Sequence, residues 1–288
     1  MKILSTMLCI FLFLGCKKDI KKTEETTESV VEEEFEQNNI PVETDNGIGD
    51  GAESIEALYV QNIEKAHAKK AFLDHDAIQF DLQLFFGGKE RLNGKIIMKT
   101  NSSQIKIIRT DGSELIYNGS QVYLNPSDAD DKGARFAMFT WPYFFAMPYK
   151  LNDPGTNWAM EQDREIDDKT YPTAKLTFDK GTGDSPDDWY LVYSDPETHV
   201  LKAAAYIVTY GSDGDVAKAQ ADPHAIVYEN FEEINGVPIA TEWQFHGWSP
   251  EKGMTKNLGN ATLSNFQFVE KTQDMFVVPK NAKALPLQ

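Results

Sequence analysis

Five histidines, the aspartate pairs Asp167-Asp168 and Asp187-Asp188 and one serine between glycines are the side chains of this 288-residue chain on which acid–base or nucleophilic chemistry would draw. His67, His75, His199, His224 and His246 show no His-Glu-x-x-His or other helical pairing, the spacing that sets two imidazoles on one side of a zinc ion. His67 and His75 stand eight residues apart. One helix would hold them about 12 Å apart along its axis, so neither reads as a metal ligand. Asp167-Asp168 and Asp187-Asp188 have the residue types of a glycosidase pair, but both lie in turn-like polar contexts. Gly211-Ser212-Asp213-Gly214 lacks the Gly-x-Ser-x-Gly shape of a nucleophile elbow and reads as a hairpin turn. Asp128, Asp130 and Gly133 begin like a calcium loop, yet Lys132 takes the fifth place and no bidentate Glu follows. Residues 127–133 therefore read as a polar loop. With no phosphate-cradling glycine loop either, the expectation is a non-catalytic protein with no metal and no cofactor.

The most unusual stretch is apolar. Arg135 to Lys150, RFAMFTWPYFFAMPYK, carries no charge between its two end cations and holds seven aromatics and methionines from Phe139 to Tyr149. It is shorter than the roughly 20 apolar residues a bilayer requires. Thr140 can cap a helix with Pro142 in its first turn, and Pro148 ends that helix near Ala146 or Met147. A helix apolar all round must be buried or must cover something. It is either a core helix plugging a sheet or a lid over an apolar cavity.

The elements around it are mostly strands. Glu53 to Phe72 carries Ile55, Leu58, Tyr59, Ile63, Ala66 and Phe72 at helical spacing, with Ser54 as cap. From Ile78 the period becomes two, with Ile78, Phe80, Leu82, Leu84 and Phe86 on one side. KIIMKT, QIKIIRT, ELIY and QVYL follow, divided by Asn93-Gly94, Ser102-Ser103, Asp111-Gly112 and Asn118-Gly119, which predicts an antiparallel meander. After Pro154, strands recur through Trp158–Ile166, Ala174–Phe178, Trp189–Tyr193 and HVLKAAAYIVTY. AIVYENFEEI then turns at Asn235-Gly236 into VPIATEWQFHGW, and ATLSNFQFVE follows. The tail VVPKNAKALPLQ reads as loose. Trp243, Phe245, His246 and Trp248 could stack on sugars, meet a partner or simply pack.

Charge and cysteine usage bound the setting. The net charge is −17, which argues against nucleic acid as a partner because no basic stripe could neutralise phosphates. The only cysteines, Cys9 and Cys16, lie in the first sixteen residues, so the body has no disulfide and no thiolate. Lys2 followed by ILSTMLCIFLFLG is a charged n-region and an apolar h-region of secretory length. Ending at Gly15-Cys16, residues 1–16 resemble a bacterial lipoprotein signal, which implies acylation of Cys16 and attachment to a membrane through it. Residues 17–52 hold eleven acids against four lysines and read as a disordered acidic tether. Lys17 and Lys18 stand where an inner-membrane retention Asp would be, favouring the outer membrane, facing periplasm or cell surface.

Residues 53–288 form the remaining domain. DPETHVL at 195–201 and YENFEEINGVPIA at 228–240, behind a helix, a long meander and an inserted apolar helix, resemble the LolA/LolB-like superfamily of outer-membrane lipoprotein-sorting and related carriers. The pattern itself counts to about eleven strands, an N-terminal helix and an inserted lid or plug helix, a mainly β fold with helices (α+β), and the resemblance implies that they form a curved antiparallel half-barrel. It also implies a cavity for a lipid or acyl chain. Phe139, Trp141, Tyr143, Phe144, Phe145 and Met147 would then be ligand-binding lid residues, with Phe80, Leu82 and Leu84 on the wall. Methionine and phenylalanine adapt to flexible alkyl chains, and burying an acyl chain gains about 0.8 kcal/mol per methylene. The alternative is an interaction or sensor lipoprotein, self-filled, that binds an envelope protein or glycan partner.

Overall fold

The computed structural model describes residues 53–212 and 215–286; the leader, Cys16 and the acidic tether lie outside them. Alternation dominates the chain after Asp76. In β1 (Ala77–Phe86), Ile78, Phe80, Leu82 and Leu84 turn to one side and are at most 1% exposed. A strand that buries one face this thoroughly has its register fixed, because a one-residue slip would expose every one of those side chains.

β1 is followed by β2 (Lys89–Lys99), β3 (Ile105–Arg109), β4 (Glu114–Tyr117) and β5 (Val122–Asn125). After the aromatic helix come β6 (Thr156–Ile166), β7 (Lys169–Phe178), β8 (Tyr190–Ser194) and β9 (Leu201–Tyr206). β10 (His224–Ile234), β11 (Val237–Ser249), β12 (Gly253–Val269) and β13 (Lys283–Leu285) complete one sheet. Its strand order is β13-β5-β4-β3-β2-β1-β12-β11-β10-β9-β8-β7-β6. Every pairing is antiparallel, and β1 against β12 joins the two meanders. Among the described residues the result is an open, curved sheet of thirteen strands rather than about eleven.

Two differences from the sequence reading have physical causes. Asn93-Gly94 is not a hairpin turn: it lies inside β2, and the turn is Gly87-Gly88, both with positive φ. Gly94 stands there because β3 crosses close by; a Cβ on it would lie 2.3 Å from the Ile108 carbonyl oxygen. The tail is not loose. β13 pairs with β5, the Gln121 amide donates to the Leu285 carbonyl, and the Arg135 guanidinium donates to the Pro286 carbonyl at 3.1 Å. Of Gly211–Gly214, read as a hairpin turn, Asp213 and Gly214 lie outside the described residues. Ser212 Oγ donates to the Thr209 carbonyl at 2.7 Å, and the segment leads to α4 (Val216–Gln220), capped by Asp215 accepting the Lys218 N–H at 3.1 Å.

The N-terminal helix is broken. α1 (Ile55–Ala66) starts at Ser54, whose Oγ accepts the Ala57 N–H at 3.2 Å. Ala68 then takes φ 51 and starts α2 (Lys69–Leu73). Tyr59, Val60, Ile63 and Phe72 reach the core, whereas Ile55 and Leu58 stay exposed. The main core runs along the concave side of the sheet and draws from both meanders, with Ile96, Ile107, Leu115 and Leu124 from one and Val192, Ala204, Ile226 and Phe245 from the other. A smaller cluster, including Tyr193, Ala203, Ala205 and Trp248, covers the opposite face of β8 to β11. Trp243, Phe245 and Trp248 are all buried in these two clusters, so they offer no exposed platform for a sugar.

Candidate functional site

The aromatic stretch forms α3 (Ala134–Ala146), followed by a single 3-10 turn at Met147–Tyr149. It begins six residues before Thr140, from Gly133 in the left-handed conformation. Pro142 is thus an interior residue, and Thr140 is no cap. A helix-interior proline removes one hydrogen bond and costs about 3 kcal/mol. Burial of Ala137, Met138, Trp141, Phe144 and Phe145 offsets it. The predicted end at Ala146 or Met147 is where the α-helix stops. Pro148 has no N–H to offer the Phe144 carbonyl four residues back. The Tyr228 hydroxyl, reaching in from β10, donates to that carbonyl at 2.9 Å.

α3 has two faces with different fates. One packs down onto the sheet: the Phe145 ring stacks on Phe80 with centroids 4.2 Å apart, and Phe144 lies 6.3 Å from Phe245. The other presents Phe136, Phe139, Thr140 and Tyr143, which recur at i, i+3, i+4 and i+7 and so form one stripe. This stripe walls a cavity of about 590 Å³, within the size range of small-molecule sites. Phe178, Tyr190 and Tyr206, on β7, β8 and β9, form the opposing wall, and Ile105 and Tyr117 close one end. The loops 153–156 and 182–188 and residues Val208 and Tyr210 form the rim.

Of the nine residues expected to bind a ligand, Phe139, Tyr143 and Phe144 line this cavity. Trp141, Phe145, Met147, Phe80, Leu82 and Leu84 do not; they are core residues, none more than 5% exposed. The space therefore lies beside α3 rather than between α3 and β1. Tyr190 and Tyr206 were missed because each belongs to a short strand whose residues are nearly all buried, so alternation does not single out one face. Tyr143 and Tyr190 have centroids 5.4 Å apart, and Tyr190 and Tyr206 6.1 Å.

The polar side of the cavity is acidic. Lys150 pairs with Asp153, and the buried Arg135 pairs with Asp184 behind the wall. Asp188 accepts the Thr209 N–H and hydroxyl, each at 2.7 Å. Burial pushes its carboxyl up, the Thr209 hydrogen bonds oppose this, and the neighbouring Asp187 and Asp184 add to the rise. Burial likewise raises the phenols of Tyr143, Tyr190 and Tyr206, which keeps them protonated as donors. The histidines are dispersed: His67 accepts the Leu201 N–H in the core, His75 pairs with Glu270, and His246 contacts the Thr255 carbonyl. Among the described residues no cluster of three His, Cys, Asp or Glu could hold a metal, and no helix is long and apolar enough to cross a membrane. The arrangement can enclose an apolar body and bond its polar end.

No curated protein matches the chain. The model of a family of unknown function, DUF6503, matches residues 90–246, more than half of the chain. Among solved structures, a LolA superfamily protein from Nitrosomonas europaea superposes with a TM-score of 0.51 at 12% identity, over 76% of this chain and 97% of that one. A putative outer membrane lipoprotein-sorting protein domain from Vibrio parahaemolyticus gives a TM-score of 0.45 at 8% identity, over 75% of this chain and 96% of that one. The first likeness establishes the fold as LolA-like: a mostly antiparallel, open curved sheet with few helices.

Proposed function

We propose, for a chain that belongs to the DUF6503 family and has a LolA-like fold, that it is an envelope lipoprotein whose cavity binds a lipid or other acyl-chain amphiphile without catalysis. One observation carries this reading. The aromatic stripe Phe136, Phe139, Thr140 and Tyr143 faces a cavity of about 590 Å³ when the other side of the same helix is fully packed. Aromatic side chains left half-buried against open space mark a binding site rather than core. Cys16 would tether the domain to the outer membrane and residues 17–52 would give it reach.

Native mass spectrometry of the chain gently extracted from its own cells tests this. A bound amphiphile that is absent from a Phe139→Trp variant is the expected result; an empty cavity in the unaltered chain contradicts it. A second reading has its own support, because α3 itself fills the concave side of the sheet. On that reading the protein is an interaction or sensor lipoprotein for an envelope protein or glycan. Partner capture that persists undiminished in Phe139→Trp, with the cavity blocked, favours it.

A further inference from the structure

We propose that the ligand of this cavity is a single-chain amphiphile with a cationic head, an amine or quaternary ammonium, held by Asp188 and the rings of Tyr143, Tyr190 and Tyr206; this rests on the reading of the cavity as a ligand site. The charge inventory is the first support. Among the described residues Lys150 is the only cationic side chain lining the cavity, and Asp153 already takes it. Arg135, behind the wall, is taken by Asp184. Asp188 has no cationic partner among the described residues: one of its oxygens receives both Thr209 bonds. An anionic head would enter beside three carboxylates with no free cation among the described residues to meet it, and an unpaired buried charge is costly. A cationic head would supply the charge that Asp188 lacks.

The tyrosines are the second, independent support. Tyr190 is 7% exposed and Tyr206 4%, both line the cavity, and neither hydroxyl has a hydrogen-bond partner among the described residues. Neither oxygen is sealed off as His67 Nδ1 is, so both hydroxyls open onto the cavity, where a ligand's polar group can meet them. Asp188, Tyr143, Tyr190 and Tyr206 all line this one cavity. A ring face attracts a cation within about 6 Å of its centroid, and an aromatic cage of this kind suits quaternary ammonium groups. Phe136, Phe139 and Phe178 leave the rest of the wall apolar for a tail.

Isothermal titration of the full chain carrying Cys16→Ser, so that it bears no acyl chain of its own, separates the possibilities. Three probes share a decyl tail and are used below their micelle concentrations: decyltrimethylammonium, decyl glucoside and decanoate. Decyltrimethylammonium is expected to bind at least about tenfold tighter than decanoate, which corresponds to ~1.4 kcal/mol. Asp188→Asn keeps a carbonyl oxygen for the Thr209 donors and should close most of that gap, with decyl glucoside as the uncharged reference. Equal or tighter binding of decanoate overturns the cationic head while leaving the cavity reading intact. A gap that survives in a folded Asp188→Asn variant removes Asp188 as counter-ion and overturns the proposal as stated. Should none of the three bind, both the head assignment and the cavity reading fail. The comparison of probes on the unsubstituted Asp188 chain stands even if the variant does not fold.

Discussion

Acidification from pH 7.5 towards 4 should unsettle this fold through one histidine before its carboxylates respond. His67 is 1% exposed; its Nε2 accepts the Leu201 N–H at 2.9 Å, and Nδ1 has no partner among the described residues. Burial pushes its pKa from 6.5 down to about 4. In the unfolded chain the ring takes up a proton near pH 6.5, in the folded chain only near 4. The unfolded state therefore binds more protons between those values, and stability is full above pH 6.5 and falls as pH drops towards 4. The loss from this ring is about 2 kcal/mol at pH 5 and about 3 kcal/mol at pH 4, a large share of a typical domain stability. His224 is also pushed down by burial and adds in the same direction, so a variant is needed to isolate His67. His67→Gln keeps an acceptor at the Nε2 position and does not titrate. Guanidinium unfolding of both proteins at pH 7.5, 6, 5 and 4.5 gives the difference directly. The two stability curves should converge, or cross, as pH falls. Parallel curves over that range would refute the assignment of a neutral, buried His67.

Three further outcomes are expected from the packing around α3 and within the sheet. Phe80→Ala, at a fully buried ring stacked on Phe145, should lower unfolding stability by about 3–5 kcal/mol, read from the denaturation midpoint; a loss under about 1 kcal/mol would mean that α3 does not rest on β1. Tyr228→Phe removes the hydroxyl that satisfies the Phe144 carbonyl and should cost about 1–3 kcal/mol with the m-value unchanged. Gly94→Ala puts a methyl group 2.3 Å from the Ile108 carbonyl oxygen, so the β2–β3 pairing must shift at a cost of about 1–3 kcal/mol; amide exchange faster in β3 than in β9 would locate the damage.

The sequence was legible wherever local pattern and burial agreed. The period-two run in β1, the Asn235-Gly236 turn, the Ser54 cap and the helix end before Pro148 each rest on neighbouring residues alone. Errors arose where one local signal has two physical uses. Asn-Gly serves a tight turn, but in β2 its glycine serves a close backbone approach. Thr140 and Pro142 have the chemistry of a helix start, yet tertiary burial carries the helix through both. β13 exists only because β5, Gln121 and Arg135 wait for it some 150 residues away in sequence. The cavity was the hardest part to see. Its helical stripe includes two of the expected residues, Phe139 and Tyr143, but its other wall is assembled by strand order from β7, β8 and β9. Trp141, Phe145 and Met147 proved to be core because being apolar on every side told nothing about which side of the aromatic stretch was empty, and Phe80, Leu82 and Leu84 because β1 lies under its packed face.

The position of a bound tail decides this most directly. A crystal of the chain grown with a decyltrimethylammonium analogue brominated at the tail end gives the site by anomalous scattering. A bromine peak in the space bounded by Phe139, Tyr143 and Tyr190 is the expected result, with the Phe80–Phe145 stack unbroken. A peak between those two stacked rings, or none in a saturated crystal, would contradict a ligand site on the outward face of α3.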